Sequence, residues 1–339
     1  MKTILVFLSI ISLMACKSTQ GSNNDPIIYL ENENIKAAFL PEVGGRLVFL
    51  GRPGGENLLK SDSSQWREAS EERMSASVEA EWKAYEGHII WIGPQSEWWT
   101  RQDLNPKRRD SKALWPPDPY LIYGNFNVLE QTASSLVLEG PASPISGVQL
   151  TKRYSLSESG LEIEVTISNS SEVPVSWDIW SNARFGEATL FFVPECENGL
   201  LRVETNEGGK TSGPKGEIVK SAFTFVYQSS KSGKAGGNAK AFLHPEKGRI
   251  VAVEKGFMLV MAFDYVEQDQ IHPEQGFVEI YQLLTPGGTE GLLELEHHSA
   301  YVTLKPGESH VLNESWVIHD YSGKMEAEEA VSYYNTLKH

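Results

Sequence analysis

Three carboxylates and two imidazoles fall in two short runs of this 339-residue chain, Phe277-Val278-Glu279-Ile280-Tyr281-Gln282 and Leu293-Glu294-Leu295-Glu296-His297-His298. Read as strands, successive side chains point to opposite faces. Glu279 and Tyr281 then share a face with Phe277 and Leu283, while Glu294, Glu296 and His298 share a face of the second run. Such groups, held close together, suit general acid–base chemistry near neutral pH. A carboxylate between aromatic rings, on a strand apolar on its far side, is costly in a plain core. Glu279 is therefore the first candidate for a catalytic residue, with Tyr281 and Glu294 as candidates for holding a ligand.

A third run, Gly87-His88-Ile89-Ile90-Trp91-Ile92-Gly93-Pro94, opens an apolar strand with an imidazole and leads into an aromatic-rich loop. His88 there is either a proton-transfer group or a core-edge histidine satisfied by backbone. Of nine tryptophans, Trp91, Trp98, Trp99 and Trp115 lie close in sequence and offer flat platforms for sugar C–H faces; most of the others, including Trp177 and Trp316, belong in the core. Taken as extended chain, Trp98-Trp99 cannot bury both rings, which places at least one in a cleft or at an interface. Arg46 opens the strand after the Gly44-Gly45 turn, where its guanidinium can reach a polar pocket. His297 and His298 point to opposite faces, so the His/Glu group does not close on one ion, and no metal or other cofactor is expected. Gly-rich phosphate loops, Gly-x-Ser-x-Gly elbows and His-Glu-x-x-His are absent from the sequence.

A net charge of −15 with no basic stripe repels phosphate backbones, so no nucleic-acid partner is expected. At the N-terminus Lys2 precedes an apolar run at 4–15, too short for a retained membrane span. Leu13-Met14-Ala15-Cys16 resembles the lipobox of bacterial lipoproteins. That resemblance implies a signal peptide over 1–15, lipidation of Cys16 and a polar tether over 16–26. The chain is then expected in the bacterial cell envelope, membrane-bound through its N-terminal lipid anchor and facing the periplasm from the outer membrane. Cys196 is the one other cysteine, which leaves no disulfide framework.

Beyond the tether, short β-type runs follow at 27–30, 35–40, 46–50, 88–92, 120–129, 135–139, 147–156, 161–168, 175–180, 189–193, 200–204, 222–227, 249–253, 257–264, 277–284, 292–298, 301–304 and 310–318. Leu161-Glu162-Ile163-Glu164-Val165-Thr166-Ile167 alternates strictly, with one face buried and one wet. Strands at this spacing without intervening helices predict an all-β antiparallel sandwich in one domain over 27–339, with a short C-terminal helix within 324–337. The polar stretch 61–86 and the Trp/Pro-rich stretch 97–119 break the rhythm as long loops, where sites are commonly built. The Gly/Lys/Ser-rich 231–238 reads as a hairpin tip.

Several motifs in this order are similar to one family. They are Pro41-Glu42-Val43-Gly44-Gly45-Arg46, the His88 run, Trp115-Pro116-Pro117-Asp118, Phe277-Val278-Glu279-Ile280-Tyr281, Leu293-Glu294-Leu295-Glu296, and Leu304-Lys305-Pro306-Gly307-Glu308-Ser309 leading to Trp316. Over residues 27–319 the set resembles the DUF4380 family, bacterial proteins with the galactose mutarotase-like fold. The resemblance implies a large antiparallel β-supersandwich with a sugar-sized cleft. It implies an aldose 1-epimerase-like reaction with Glu279 as general base at the anomeric hydroxyl, His88 as general acid at the ring oxygen and Arg46 as a sugar contact. The Asn-His-Thr-type segment of those epimerases has no counterpart here; the corresponding strand reads Trp177-Asp178-Ile179-Trp180-Ser181-Asn182. The expected partner is a carbohydrate ligand in a cleft lined by Arg46, His88, Trp91, Trp98, Trp99, Glu279, Tyr281 and Glu294. The alternative is a non-catalytic structural or partner-binding envelope lipoprotein with a vestigial cleft. The readings part on whether Glu279 and His88 line one open cavity.

Overall fold

The computed structural model describes residues 25–68, 71–205, 214–226, 237–254, 256–285 and 290–337. Cys16 and the 1–15 segment lie outside the described residues, as does most of the 231–238 tip. Antiparallel pairing builds two large sheets. The larger runs, edge to edge, through Ile28–Glu31, Lys36–Leu40, Arg46–Gly51, His88–Gly93, Val175–Gly186, Leu292–His298, Val278–Leu284, Gly237–Leu243 and Leu200–Thr205, with Val302–Leu304 pairing to Val175–Gly186. The smaller runs through Leu190–Phe192, Arg249–Glu254, Gly256–Phe263, Ser309–Tyr321, Gly160–Asn169, Val148–Leu156, Ser135–Glu139 and Asn127–Gln131. The all-β antiparallel sandwich is the observed architecture.

Alternation explains the packing. Leu161, Ile163, Val165 and Ile167 are buried on Gly160–Asn169, while Glu162 and Glu164 face outward. Val175–Gly186 differs, being buried on both faces for almost its whole length. It lies at the middle of the larger sheet, with the core beneath and two long loops above, so periodicity alone does not distinguish its two sides.

The structure departs from the sequence reading in places with clear causes. The run at 120–129 is no single strand: Pro119–Ile122 is a helical turn and Asn127–Gln131 is the strand. Asp118 caps that turn by accepting from the Tyr120 amide at 2.9 Å, and Pro119 occupies its first position. Lys215–Val219 and Gly237–Leu243 are strands that the sequence reading did not assign. The C-terminal helix spans Ala327–Tyr334 and packs Tyr334 edge-on against Phe192, with centroids 5.6 Å apart. Among the described residues no helix is long and apolar enough to cross a membrane.

Trp316 joins the sheets: it is buried, its indole N–H donates to the Glu314 carboxylate at 2.8 Å, and its ring lies 4.8 Å from His88. Trp316→Ala should therefore cost about 3–5 kcal/mol of stability in urea denaturation; a loss below about 1 kcal/mol would contradict that role.

Candidate functional site

Cross-strand register brings residues distant in sequence into rows on one face of the larger sheet. Lys240, Tyr281, Glu294 and Arg184 form one row, and Phe242, Glu279, Glu296 and Asn182 the next. A third row holds His298, Trp180 and Trp91. Above these rows lies a cavity of about 400 Å³, within the range of small-ligand sites. Strand residues Trp180, Lys240 and Glu296 supply its floor, and Tyr281 and Glu294 one side. The long loops add Trp82, Glu86 and Trp115.

Charge is organised by two cations. Lys240 Nζ lies 2.6 Å from Glu279 Oε2 and 3.1 Å from Glu296 Oε2. Arg184 is clamped by Glu86 at 2.6 Å and Glu294 at 2.5 Å. Its guanidinium lies 5.1 Å from the Trp82 ring and 5.8 Å from Trp91, both within cation–π range. Behind the floor, His298 links Asp178 on one nitrogen, at 3.2 Å, to Glu279 on the other, at 3.4 Å. The Gly276 amide donates to Glu279 Oε1 at 2.9 Å.

This arrangement pushes two carboxyls in opposite directions. Burial favours the neutral form of Glu279, but the Lys240 ammonium and His298 outweigh it and hold the group ionised. Burial likewise raises Glu296; Lys240 opposes this, Glu294 and Glu279 reinforce it, and the net result is a carboxyl that keeps its proton well above the usual range. Burial lowers His298, yet Asp178 and Glu279 more than restore it, and its pKa rises to about 9. One Glu296 oxygen accepts from the Trp180 indole at 2.8 Å. The other oxygen, Oε1, has no hydrogen-bond partner among the described residues, nor has the Trp91 indole N–H. Buried polar atoms left this way cost about 1–3 kcal/mol each.

The sequence-derived candidates divide sharply by position. Trp91, Tyr281 and Glu294 line the cavity. Glu279 is 1% exposed and sits beneath Lys240, outside the lining. Phe277 precedes its strand and packs 5.4 Å from Phe263 in the core, so Glu279 is not flanked by two rings on one face. His88 does not face Glu279. It points to the inter-sheet side, bonded to Ser181 Oγ at 2.8 Å and 3.8 Å from Glu314. Arg46 is buried away from the cavity and donates to the carbonyls of Glu86 and Ile122, each at 3.0 Å. Trp98 and Trp99 are both buried, their indoles bonded to the Ile92 and Pro116 carbonyls at 2.5 and 2.8 Å. They follow the helical turn Gln95–Glu97 rather than lying on a strand, so adjacent rings diverge within the interior.

Sequence reasoning missed Lys240, Trp180, Arg184, Trp82 and Glu86, and gave Glu296 too little weight. For Lys240 a signal existed: Asn238-Ala239-Lys240-Ala241-Phe242 alternates polar and apolar before Phe242. Arg184 and Glu86 had none, because their meeting depends on which strands become neighbours.

The model of the family described as "Domain of unknown function (DUF4380)" matches residues 27–319. Among solved structures, a putative aldose 1-epimerase from Escherichia coli K12 superposes with TM-score 0.53 at 12% identity, covering 87% of this chain and 99% of that one. A galactose mutarotase-like protein from Lactobacillus casei gives 0.54 at 12% identity, covering 86% and 100%. A galactose mutarotase related enzyme from Lactobacillus acidophilus gives 0.53 at 11%, covering 89% and 99%. At such identities the likeness shows the fold. No curated protein matches the chain.

His88 offers a test of its core placement. Burial lowers its pKa from 6.5 to about 4, with Lys152, His297 and Arg46 also lowering it and Glu314 opposing. The folded state then binds fewer protons than the unfolded between those values. Stability is full above pH 6.5 and declines as pH falls towards 4, by about 3 kcal/mol from this residue. His88→Gln should shrink the difference between urea stabilities at pH 7 and pH 4 by about that amount; an unchanged difference would show that His88 is not held neutral.

Proposed function

The chain belongs to the DUF4380 family, and we propose that its cleft binds a carbohydrate and exchanges a proton with it through Glu296, in the manner of an aldose 1-epimerase. The observation that carries this reading is the carboxyl of Glu296: it lines the cavity, is anchored through one oxygen by Trp180 and Lys240, and has its other oxygen without a partner. Indole faces at Trp91 and Trp180 suit the apolar face of a sugar ring, and the Arg184–Glu294 pair suits its hydroxyls. Opening the ring requires a proton delivered to the ring oxygen and one removed from the anomeric hydroxyl. Glu296, proton-bearing at neutral pH, delivers the first, and the Lys240 ammonium and Trp180 N–H then stabilise the carboxylate left behind. Glu294, two residues along the same face, accepts the second. Glu279 positions Lys240, and His88 takes no part.

A non-catalytic binding role is the second reading. Its support is that Arg184 and Lys240 are already ion-paired, an arrangement that holds a ligand without turnover. On the sequence at Leu13–Cys16, we also propose that the protein is anchored to the bacterial envelope by lipid on Cys16 and faces the periplasm.

Polarimetry of freshly dissolved aldoses separates the first two readings. Glu296→Gln should slow mutarotation about 10²–10⁴-fold while calorimetric sugar binding persists; wild-type protein that binds sugars without accelerating mutarotation leaves the binding role, and protein that binds none ends both. Because Glu296 acts in its protonated form, the rate should fall as pH rises through its elevated pKa, and a rate that climbs steadily into the alkaline range would refute that assignment. For the anchor, radiolabelled palmitate should enter the wild-type chain and not Cys16→Ser; a wild-type chain that remains unlabelled removes it.

A further inference from the structure

Four indoles run from the floor of the cleft to its mouth. Trp180 lies 5.1 Å from Trp91, Trp91 lies 5.9 Å from Trp115 and 6.4 Å from Trp82, and Trp82 lies 4.7 Å from Trp115. Exposure rises in the same direction: Glu296 at the floor is 0% exposed, Trp91 4%, and Trp115 42%. Trp115 stands beside Leu114, which is 56% exposed, so the mouth carries an apolar patch continuous with the cavity wall. This patch is held in place on both sides. Gln95 donates to the Leu114 carbonyl at 2.6 Å, and the buried Trp99 indole donates to the Pro116 carbonyl at 2.8 Å. An indole kept in water by contacts to its flanking backbone forgoes the burial that would stabilise it, by about 25 cal/mol per Å². The same fixation makes it a preorganised platform. A single sugar ring at the floor has Trp180 and Trp91 for its faces, and the exposed part of Trp115, packed beside Trp91, extends that surface towards solvent. The inner end is closed by Glu296, His298 and Glu279, all buried, so a polymer cannot thread through.

We infer that the cleft takes the end of a carbohydrate chain, with the terminal unit on the floor and the next unit resting on Trp115 at the mouth. This rests on the carbohydrate reading of the cleft and names its substrate class. Calorimetry on the full chain, with galactose and glucose beside their α-1,4- and β-1,4-linked dimers to tetramers, tests it. At least one series should bind about tenfold more tightly than its monomer. Trp115→Ala should bring oligomer affinity down to that of the monomer measured on the same variant, and Trp115→Phe, which keeps an aromatic face, should retain most of the gain, a pattern that a misfolded variant would not show. Monomers that bind as tightly as every oligomer, or a gain that survives Trp115→Ala, overturn the inference while leaving the carbohydrate reading intact. Failure of all the sugars to bind overturns both.

Discussion

One ammonium serves two buried carboxyls at the centre of this molecule. Glu279 and Glu296 stand directly opposite each other in the register of neighbouring strands, where like charges are destabilising. Burial multiplies that cost. Lys240 touches both, and an uncompensated charge at such a place would cost about 3–5 kcal/mol. Its own environment settles the contest: burial disfavours the ammonium, but the ionised Glu279 holds it charged. A count of charges then decides which acid keeps its proton. Glu279 has Lys240, His298 and a backbone amide, whereas Glu296 shares Lys240 and lies among other acids. The proton-bearing group facing the cavity follows from that imbalance.

The opposite side of the same strands carries a second polar layer, sealed between the sheets. Glu314 reaches up from Ser309–Tyr321 to His297 at 3.2 Å, and His297 stacks on Phe263 with ring centroids 3.7 Å apart. Burial would raise Glu314, but His297, His88 and the Trp316 N–H hold it down to about 2. Adjacent residues His297 and His298 thus work on opposite faces, one tying the sheets together and the other backing the cleft.

That split was legible in the sequence, because alternation alone separates His297 from His298 and groups Glu294 with Glu296. The antiparallel sandwich was legible too, from strand-length runs punctuated by turns. What alternation could not supply is which face of a strand is core when both are covered. His88 shows this: alternation puts it on one face with Ile90 and Ile92, and that face is the inter-sheet side. Trp98-Trp99 misled for a different reason, since a strand geometry was assumed where the chain makes a helical turn. Lys240 sits in an alternating run at 238–242 that was legible, but the Gly/Ser/Lys-rich residues just before it have low strand propensity and read as a hairpin tip.

Arg46 reaches from its strand to the carbonyls of Glu86 and Ile122, one at the end of the first long loop and one just after the second. The two stretches that furnish the aromatic side of the cleft are stapled there, and again where Arg108 donates to the carbonyls of Val78 and Ala80, while the floor is laid down by hydrogen-bonded strands. The cleft is thus made of two materials, a floor whose geometry is set by strand register and a rim whose geometry is set by side-chain contacts between loops. The rim still reaches the floor's charges where Glu86 pairs with Arg184 and Arg184 with Glu294.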